Sequence, residues 1–317
     1  QIISDLCDTY LADAQAGKIL HRGKAKKPAT LKIDQGRIER HIKPLIGDKR
    51  INELRREDIE AFMFDVRDGK TATDIKTGLR GRARVRGGLG TAKKAVSLLS
   101  AIYTYAIRRD LVEHNPCQYV QKPADNKRDR FLSADEYARL GKAISDVSAL
   151  GMFQTACAVI KALALTGCRR GEILKLNREE VDFSGHCLRL GESKTGPQLR
   201  PCGETALKHM QCCMERHNAS WVFPANTGDG PFINIRKPML RICQMADLDG
   251  VTPHVLRHSY ATVAHELGYS ELTIAGLLGH SAGSVTSRYA HHVDHVLASA
   301  ADRVSETIAA RLGIKWD

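Results

Sequence analysis

A polar, charged segment divides this 317-residue chain into two parts, each long enough to bury a core of its own. Residues 123–130 read Pro-Ala-Asp-Asn-Lys-Arg-Asp-Arg and show no apolar period. Such a segment has too little apolar surface to pack, so it predicts a linker. We therefore expect one domain over residues 1–122, a linker over residues 123–131 and a second domain over residues 132–317.

Helical periodicity dominates on both sides of this linker. The helices predicted for the first domain are residues 31–47, 56–66 and 91–109. In the second domain we expect helices over residues 133–145 and 150–165, short strands around 181–201 and near 221–223, and further helices after these. The pattern predicts a mainly α fold, with a small β-sheet or hairpin in the second domain.

The net charge of +12 is concentrated in the first domain and the linker. Residues 1–130 hold 28 basic and 17 acidic side chains, whereas residues 131–317 hold 20 and 19. An excess of this size on one domain favours a polyanionic partner, and double-stranded DNA fits. A basic domain with no such partner is the alternative.

A basic segment of the first domain covers residues 69–90, which are rich in glycine and contain one acid, Asp74. It is too polar to form a core element, so we expect a flexible loop whose backbone can approach DNA phosphates. An ordinary solvated loop is the alternative. The candidate DNA-binding residues here are Lys70, Lys76, Arg80, Arg82, Arg84 and Arg86.

The second domain contains side chains suited to phosphodiester cleavage without a metal. Two arginines, in Thr-Gly-Cys-Arg169-Arg-Gly-Glu and in His254-Val-Leu-Arg257-His, could hold the non-bridging oxygens with their rigid guanidinium forks. A tyrosine can become the covalent phosphoryl carrier. A lysine or histidine can protonate the leaving 5′-hydroxyl as a general acid.

Local signals place several of these groups at helix ends. Thr252 and Pro253 predict a helix start, which puts His254 and Arg257 on one face of its first turns. A helix amino terminus already favours a phosphate. Ser270 predicts the start of a further helix and Gly279 its end, so His280 would follow directly in the turn.

The order and spacing of these motifs resemble those of the tyrosine recombinase (phage integrase) family, and the resemblance is strong over residues 130–300. The resemblance implies the DNA breaking–rejoining fold and a helical, DNA-clamping first domain. It also implies a covalent 3′-phosphotyrosine intermediate formed without ATP, metal or other cofactor. By the same resemblance, Tyr289 is the nucleophile, the oxygens are held by Arg169, Arg257 and His280, and Lys194 is the proton donor that His254 assists. The implied catalytic set is Arg169, Lys194, His254, Arg257, His280 and Tyr289.

Some positions have competitors. Arg170 stands beside Arg169, and Tyr260 and Tyr269 compete with Tyr289, although Tyr289 alone has the family spacing. Two other functions also stay open. A type IB topoisomerase uses similar chemistry but relaxes DNA as a monomer, and an inactive integrase could act as a DNA-binding regulator.

Beyond DNA, the resemblance implies self-association into a dimer or tetramer on DNA, and it leaves room for accessory DNA-bending proteins. Apolar residues recur every fourth position in a carboxy-terminal helix, from Val296 through Ala300 and Val304 to Ile308, which could dock on its own domain or in trans on a neighbour. No signal peptide and no run of 18 apolar residues appears, so we expect no membrane and a cytoplasmic, nucleoid-associated location. Gln1 leaves open that an arm-binding domain precedes the chain.

Overall fold

The computed structural model describes residues 1–21, 23–78, 81–124, 130–191, 197–279 and 295–314, and the chain forms two compact units. Unit 1 is residues 1–127 and unit 2 is residues 128–317. Each has its own buried apolar core. Both are mostly helical with small antiparallel sheets, which confirms the predicted fold class.

Unit 1 is built on helices α1 to α5. Their bounds are α1 Ile3–Gln15, α2 Pro28–Arg37, α3 Lys43–Ile46, α4 Arg56–Arg67 and α5 Leu89–Ile107, with a π-helical turn Ile38–Ile42 joining α2 to α3. A two-residue ribbon, β1 Leu20–His21 with β2 Lys24–Ala25, follows α1. The core gathers the apolar faces of α1, α4, α5 and the π-helical turn. The three helical segments predicted from periodicity are all present, with ends shifted by a few residues.

The predicted loop over residues 69–90 is wrong, because much of it is an antiparallel hairpin, β3 Thr73–Gly78 with β4 Gly81–Val85. The cross-strand pairs Asp74–Arg84 and Lys76–Arg82 stand on one face. The other residues of β4 are half-buried, so basic and small residues alternate along the strand. This period of two is a strand signal, and the high charge and glycine content concealed it.

Unit 2 surrounds α7, a helix that is apolar on nearly every side and therefore central. Its helices are α6 Ala134–Ala149, α7 Gln154–Thr166, α8 Arg170–Leu174, α9 Glu204–Met214, α10 Arg236–Met245, α11 Pro253–Glu266, α12 Glu271–Leu278 and α13 His295–Arg311. A three-stranded antiparallel sheet has the order β5 Val181–Asp182, β6 Cys187–Leu190, β7 Gln198–Pro201. In place of the strand expected near residues 221–223, the structure has an isolated β-bridge between Trp221 and Asn177.

The carboxy-terminal helix α13 packs within its own unit. Ala300, Val304 and Ile308 are fully buried in the same core as α7, α9 and α11, whereas Val296 is 63 % exposed. The apolar stripe is therefore docked in cis. Its three buried side chains pack on their own domain rather than on a neighbouring protomer. In the part of the chain that the structure describes, no helix is both long enough and apolar enough to cross a membrane.

Candidate active site

The turn between α7 and α8 fixes the backbone of Arg169. Gly167 ends α7 with a φ of 59°, and a Cβ at this position would lie 2.7 Å from the ring of Tyr260. The Thr166 hydroxyl accepts from the backbone N–H of Cys168 at 3.2 Å. Threonine and glycine are thus required by this turn, which delivers Arg169 to the first position before α8.

The carboxylate of Glu172 holds Arg169 at two points. The backbone N–H of Arg169 donates to Oε2 at 2.8 Å, and its Nη1 donates to Oε1 at 2.8 Å. Arg200 on β7 donates to the same Oε2 at 2.9 Å. Burial would raise the pKa of Glu172, but Arg200 and the Arg169 hydrogen bonds together lower it below its ordinary value. The neighbouring Arg170 is exposed, so Arg169 is the arginine held in the site.

Arg257 on α11 is 5 % exposed, and its guanidinium joins the ends of two other helices. Its Nη1 donates to the carbonyl of Gly167 and its Nη2 to that of Leu278, each at 2.8 Å. Burial first, then repulsion from Arg200 and Arg169, lowers the pKa of Arg257 to about 10. It remains a cation at neutral pH, oriented by backbone carbonyls.

The charges of this cluster do not cancel. Arg169 and Arg200 share the Glu172 carboxylate, and the nearby Arg257 adds a third guanidinium, so these four side chains together carry two excess positive charges. Water screens buried charges weakly, so the excess favours an anion at the exposed edge of the cluster. A phosphodiester whose negative charge spreads over two oxygens during reaction matches such fixed donors.

The start of α11 places the His254 imidazole close to these arginines. Thr252 caps the helix by accepting from the Val255 N–H at 3.3 Å, as its sequence predicted. The rings of His254 and His258 meet edge to face with centroids 4.4 Å apart. Burial first, then the charges of His258 and Arg257, lowers the pKa of His254 below its ordinary range. The imidazole is therefore uncharged at pH 7 and can donate one hydrogen bond and accept another.

Four candidate residues lie outside the described residues: Arg80, Lys194, His280 and Tyr289. The elements that flank them are described: β6 and β7 border the Lys194 segment, and α12 ends at Gly279 directly before His280. Of the competing tyrosines, Tyr260 is 1 % exposed beneath Gly167, and burial raises its pKa. A phenol in that position cannot reach a DNA strand.

The hairpin of unit 1 presents its basic side chains to solvent. Arg82 donates through Nε and Nη2 to the two oxygens of Asp74, at 2.6 and 2.9 Å, and Arg84 lies 3.5 Å from the same carboxylate. The two arginine side chains are 61 % and 54 % exposed. Two lysines of the candidate set, Lys70 and Lys76, and Arg86 are exposed as well. This face could meet phosphates along a DNA backbone.

Sequence reasoning missed Arg200, which is 1 % exposed on β7. Its cross-strand partner is the fully buried Leu188, so the side chain of Arg200 lies on the core face of the sheet, which the sequence of β7 alone did not indicate. Among the described residues, no group of three or more His, Cys, Asp or Glu side chains is arranged to hold a metal ion.

Comparison with protein families gives one match, to the phage integrase family over residues 130–295, slightly more than half of the chain. Tyrosine recombinase XerC of Pelotomaculum thermopropionicum is 28 % identical over 189 residues, which are 54 % of this chain and 60 % of that protein. Tyrosine recombinase XerD of Oceanobacillus iheyensis is 24 % identical over 234 residues, which are 70 % of this chain and 71 % of that protein. The chain thus spans about 60 % of the length of the first of these relatives.

Solved structures share the fold. A lambda integrase fragment, crystallised as a dimer bound to a COC′ core site, has a TM-score of 0.69 at 19 % identity and covers 90 % of this chain and 97 % of that one. The Tn1549 transposon integrase, in complex with circular intermediate DNA, has a TM-score of 0.67 at 19 % identity and covers 95 % and 98 %. At this identity the likeness establishes the fold alone.

Proposed function

Because the chain belongs to the phage integrase family, we propose that it is a site-specific DNA recombinase that cleaves and rejoins strands through a covalent 3′-phosphotyrosine. One observation carries this proposal: Arg169 and Arg257 are fixed cations in a cluster with excess positive charge. Such donors stabilise the charge that develops on a phosphodiester under attack, and they need no rearrangement when it does.

In the proposed reaction, the Tyr289 hydroxyl gives its proton to His254 or to water, its oxygen attacks the scissile phosphorus, and the bond to the 5′ oxygen breaks. Arg169, Arg257 and His280 bind the non-bridging oxygens, and Lys194 protonates the departing 5′ oxygen. His254, uncharged at pH 7, assists proton transfer or orients the phosphate. The phosphotyrosine conserves the energy of the broken bond, so a 5′-hydroxyl from another strand can rejoin it without ATP or metal.

We further propose that residues 1–122 bind DNA through the β3–β4 face and that residues 132–317 carry the chemistry, joined by the linker 123–131. Lambda integrase has been crystallised as a dimer on a core site and as a tetramer on a Holliday junction. A comparable assembly of this chain on duplex DNA, with two protomers active at a time, would permit exchange of two strand pairs. Accessory DNA-bending proteins could take part, and the site of action would be the nucleoid.

The test is to trap the covalent intermediate. Duplexes that bind the protein are selected from the DNA flanking its gene, and a nick is placed beside the cleavage position so that the released fragment diffuses away. The wild-type chain should then accumulate a denaturant-resistant protein–DNA adduct. Tyr289→Phe should bind the same duplex with unchanged affinity and form no adduct, because the variant lacks the attacking oxygen.

Tyr269→Phe serves as the matched control and should cleave as the wild type does. An adduct from Tyr289→Phe at wild-type yield would show that the nucleophile is assigned wrongly. Binding without any adduct from the wild-type chain would indicate a DNA-binding regulator. Relaxation of supercoiled plasmid by monomers, with no exchange between sites, would indicate a topoisomerase.

A further inference from the structure

Arg200 is a charged side chain in the core of unit 2 that does not belong to the family's catalytic set. Arg200 is 1 % exposed, so its guanidinium cannot touch DNA. An apolar side chain opposite Leu188 would fill this position without the cost of burying a charge. Burying a cation here therefore needs compensation that packing alone does not give.

The first contact of Arg200 leads to Arg169. Arg200 Nη2 donates to Glu172 Oε2 at 2.9 Å, the oxygen that also accepts from the Arg169 backbone. The other oxygen of Glu172 accepts from the Arg169 guanidinium. The carboxylate thus bridges the two arginines, and the hydrogen bond from Arg200 helps to fix its orientation. The rotamer of Arg169 is set through this relay.

The second contact leads to the end of α12. Arg200 Nη1 lies 3.4 Å from the carbonyl of Leu277, and Arg257 Nη2 donates to the next carbonyl, that of Leu278. These carbonyls have no partner within the helix, and cations at this end are favoured by the helix dipole. Two guanidinium groups from different elements therefore close the same helix end.

Gly279 shows how closely this end is fitted. Its φ is 57°, and a Cβ built there would lie 2.4 Å from Arg200 Nη1 and 2.7 Å from its Cζ. The Arg200 guanidinium packs flush against the backbone immediately before His280. Repulsion between Arg200 and Arg257 is a cost in the free protein, and a bound phosphate would relieve it.

We propose that Arg200 is a positioning residue for DNA cleavage, which holds Glu172 and the end of α12 so that Arg169 and Arg257 meet one phosphate. This inference rests on the proposed function. It assigns to Arg200 no contact with DNA and no proton transfer. Its effect reaches the reaction through the orientation of the residues that do touch the phosphate.

The test compares Arg200→Met and Arg200→Lys with Arg189→Met, a matched control. Arg189 is an arginine of the adjacent strand β6 that pairs with Asp182 and is 47 % exposed. Three quantities are measured for each variant: the single-turnover rate of adduct formation on the nicked duplex, the DNA dissociation constant and the unfolding temperature. Arg200→Met should fold and bind DNA within a few-fold of wild type, yet cleave on the order of 100-fold more slowly, because a misplacement of about 1 Å has that cost.

Arg200→Lys keeps the charge but not the fork, so it should recover only part of the rate. The cleavage rate of the double variant Arg169→Lys/Arg200→Met separates a positioning role from a purely structural one. If Arg200 acts through Arg169, the double variant should cleave little more slowly than Arg169→Lys alone.

Three results would overturn the proposal: Arg200→Met cleaving as fast as Arg189→Met, strictly multiplicative losses in the double variant, or failure of both Arg200 variants to fold. The last result would assign Arg200 to stability. Failure of the proposed function is a separate outcome, since the wild-type chain itself would then form no adduct.

Discussion

Arginine side chains are held in opposite ways in the two units. In the β3–β4 hairpin, Arg82 and Arg84 are more than half exposed and share the Asp74 carboxylate. In unit 2, Arg257 is 5 % exposed and donates to two backbone carbonyls. From sequence, the hairpin arginines are candidate phosphate ligands by composition, and Arg257 is one by its motif. Their surroundings indicate different work.

The exposed pairs exchange partners at low cost. A surface ion pair contributes about 0–1 kcal/mol, so under the proposed function a DNA phosphate would replace Asp74 at Arg82 with little change in the hairpin. The buried guanidinium groups have already lost their water and are fixed before DNA arrives. Fixed donors act on the barrier, whereas exposed donors act on encounter and affinity.

The largest effect is expected when the two anchored arginines of unit 2 are replaced, the half-buried Arg169 and the buried Arg257. Arg169→Lys and Arg257→Lys should each lower the single-turnover cleavage rate by about 100-fold or more, since removal of an oxyanion donor costs about 2.7–4 kcal/mol of barrier. DNA affinity should change far less. Arg170→Lys, on the exposed neighbour, is the control and should cleave normally.

Equal losses of rate and affinity in the Arg169 or Arg257 variants would reduce these residues to phosphate anchors. Chelation by EDTA should leave the wild-type cleavage rate unchanged. A requirement for added metal would overturn the mechanism as proposed.

A smaller effect, on stability, is expected from protonation of a buried histidine in unit 2. His209 is buried and hydrogen-bonded to the carbonyl of Ala158, and burial lowers its pKa to about 4. The unfolded chain, with a histidine pKa near 6.5, binds more protons between these values, so stability is complete above pH 6.5 and falls as the pH falls. From pH 7 to pH 5 this histidine should remove about 2 kcal/mol of unfolding free energy.

Chemical denaturation at the two pH values checks this expectation. His209→Gln should lose about 2 kcal/mol less than wild type on acidification. The exposed His265→Gln should behave as the wild type does. Identical pH dependence in all three proteins would mean that burial at His209 carries no such cost.

The smallest effect for each residue is expected in the hairpin. Replacing Arg80, Arg82, Arg84 and Arg86 with alanine should weaken binding to any duplex alike. Removing one arginine–phosphate interaction should reduce the slope of log affinity against log salt by about 0.9. Arg56→Ala, on an exposed arginine of α4, is the control. An unchanged slope would mean that the hairpin does not contact DNA. The exposed arginines of unit 1 would then have no part in DNA affinity.

The features that sequence predicted well are those fixed within a few residues. The Thr252 and Ser270 caps and the Gly279 stop occur where expected, because each depends on a local hydrogen bond or a left-handed φ. The hairpin was not predicted because the high charge and glycine content of this segment conceal the period of two in Arg82, Arg84 and their neighbours.

Other features depend on partners distant in sequence. Arg200 and Glu172 are paired across 28 positions, and no local rule connects them. The stripe of α13 required burial, but a stripe does not specify which surface buries it, and so cis and trans docking could not be separated. Family resemblance could propose roles for Arg169 and Arg257, whereas the carbonyls that orient Arg257 required the fold.

The cis packing of α13 has a consequence for synthesis on the ribosome. Chains fold domain by domain as they emerge, and unit 1 can close its core with residues 1–120 alone. Unit 2 cannot, because Ala300, Val304 and Ile308 complete the core around α7. Under the proposed function, a nascent chain would bind DNA before it could cleave it, and strand cleavage would wait until α13 has left the exit tunnel.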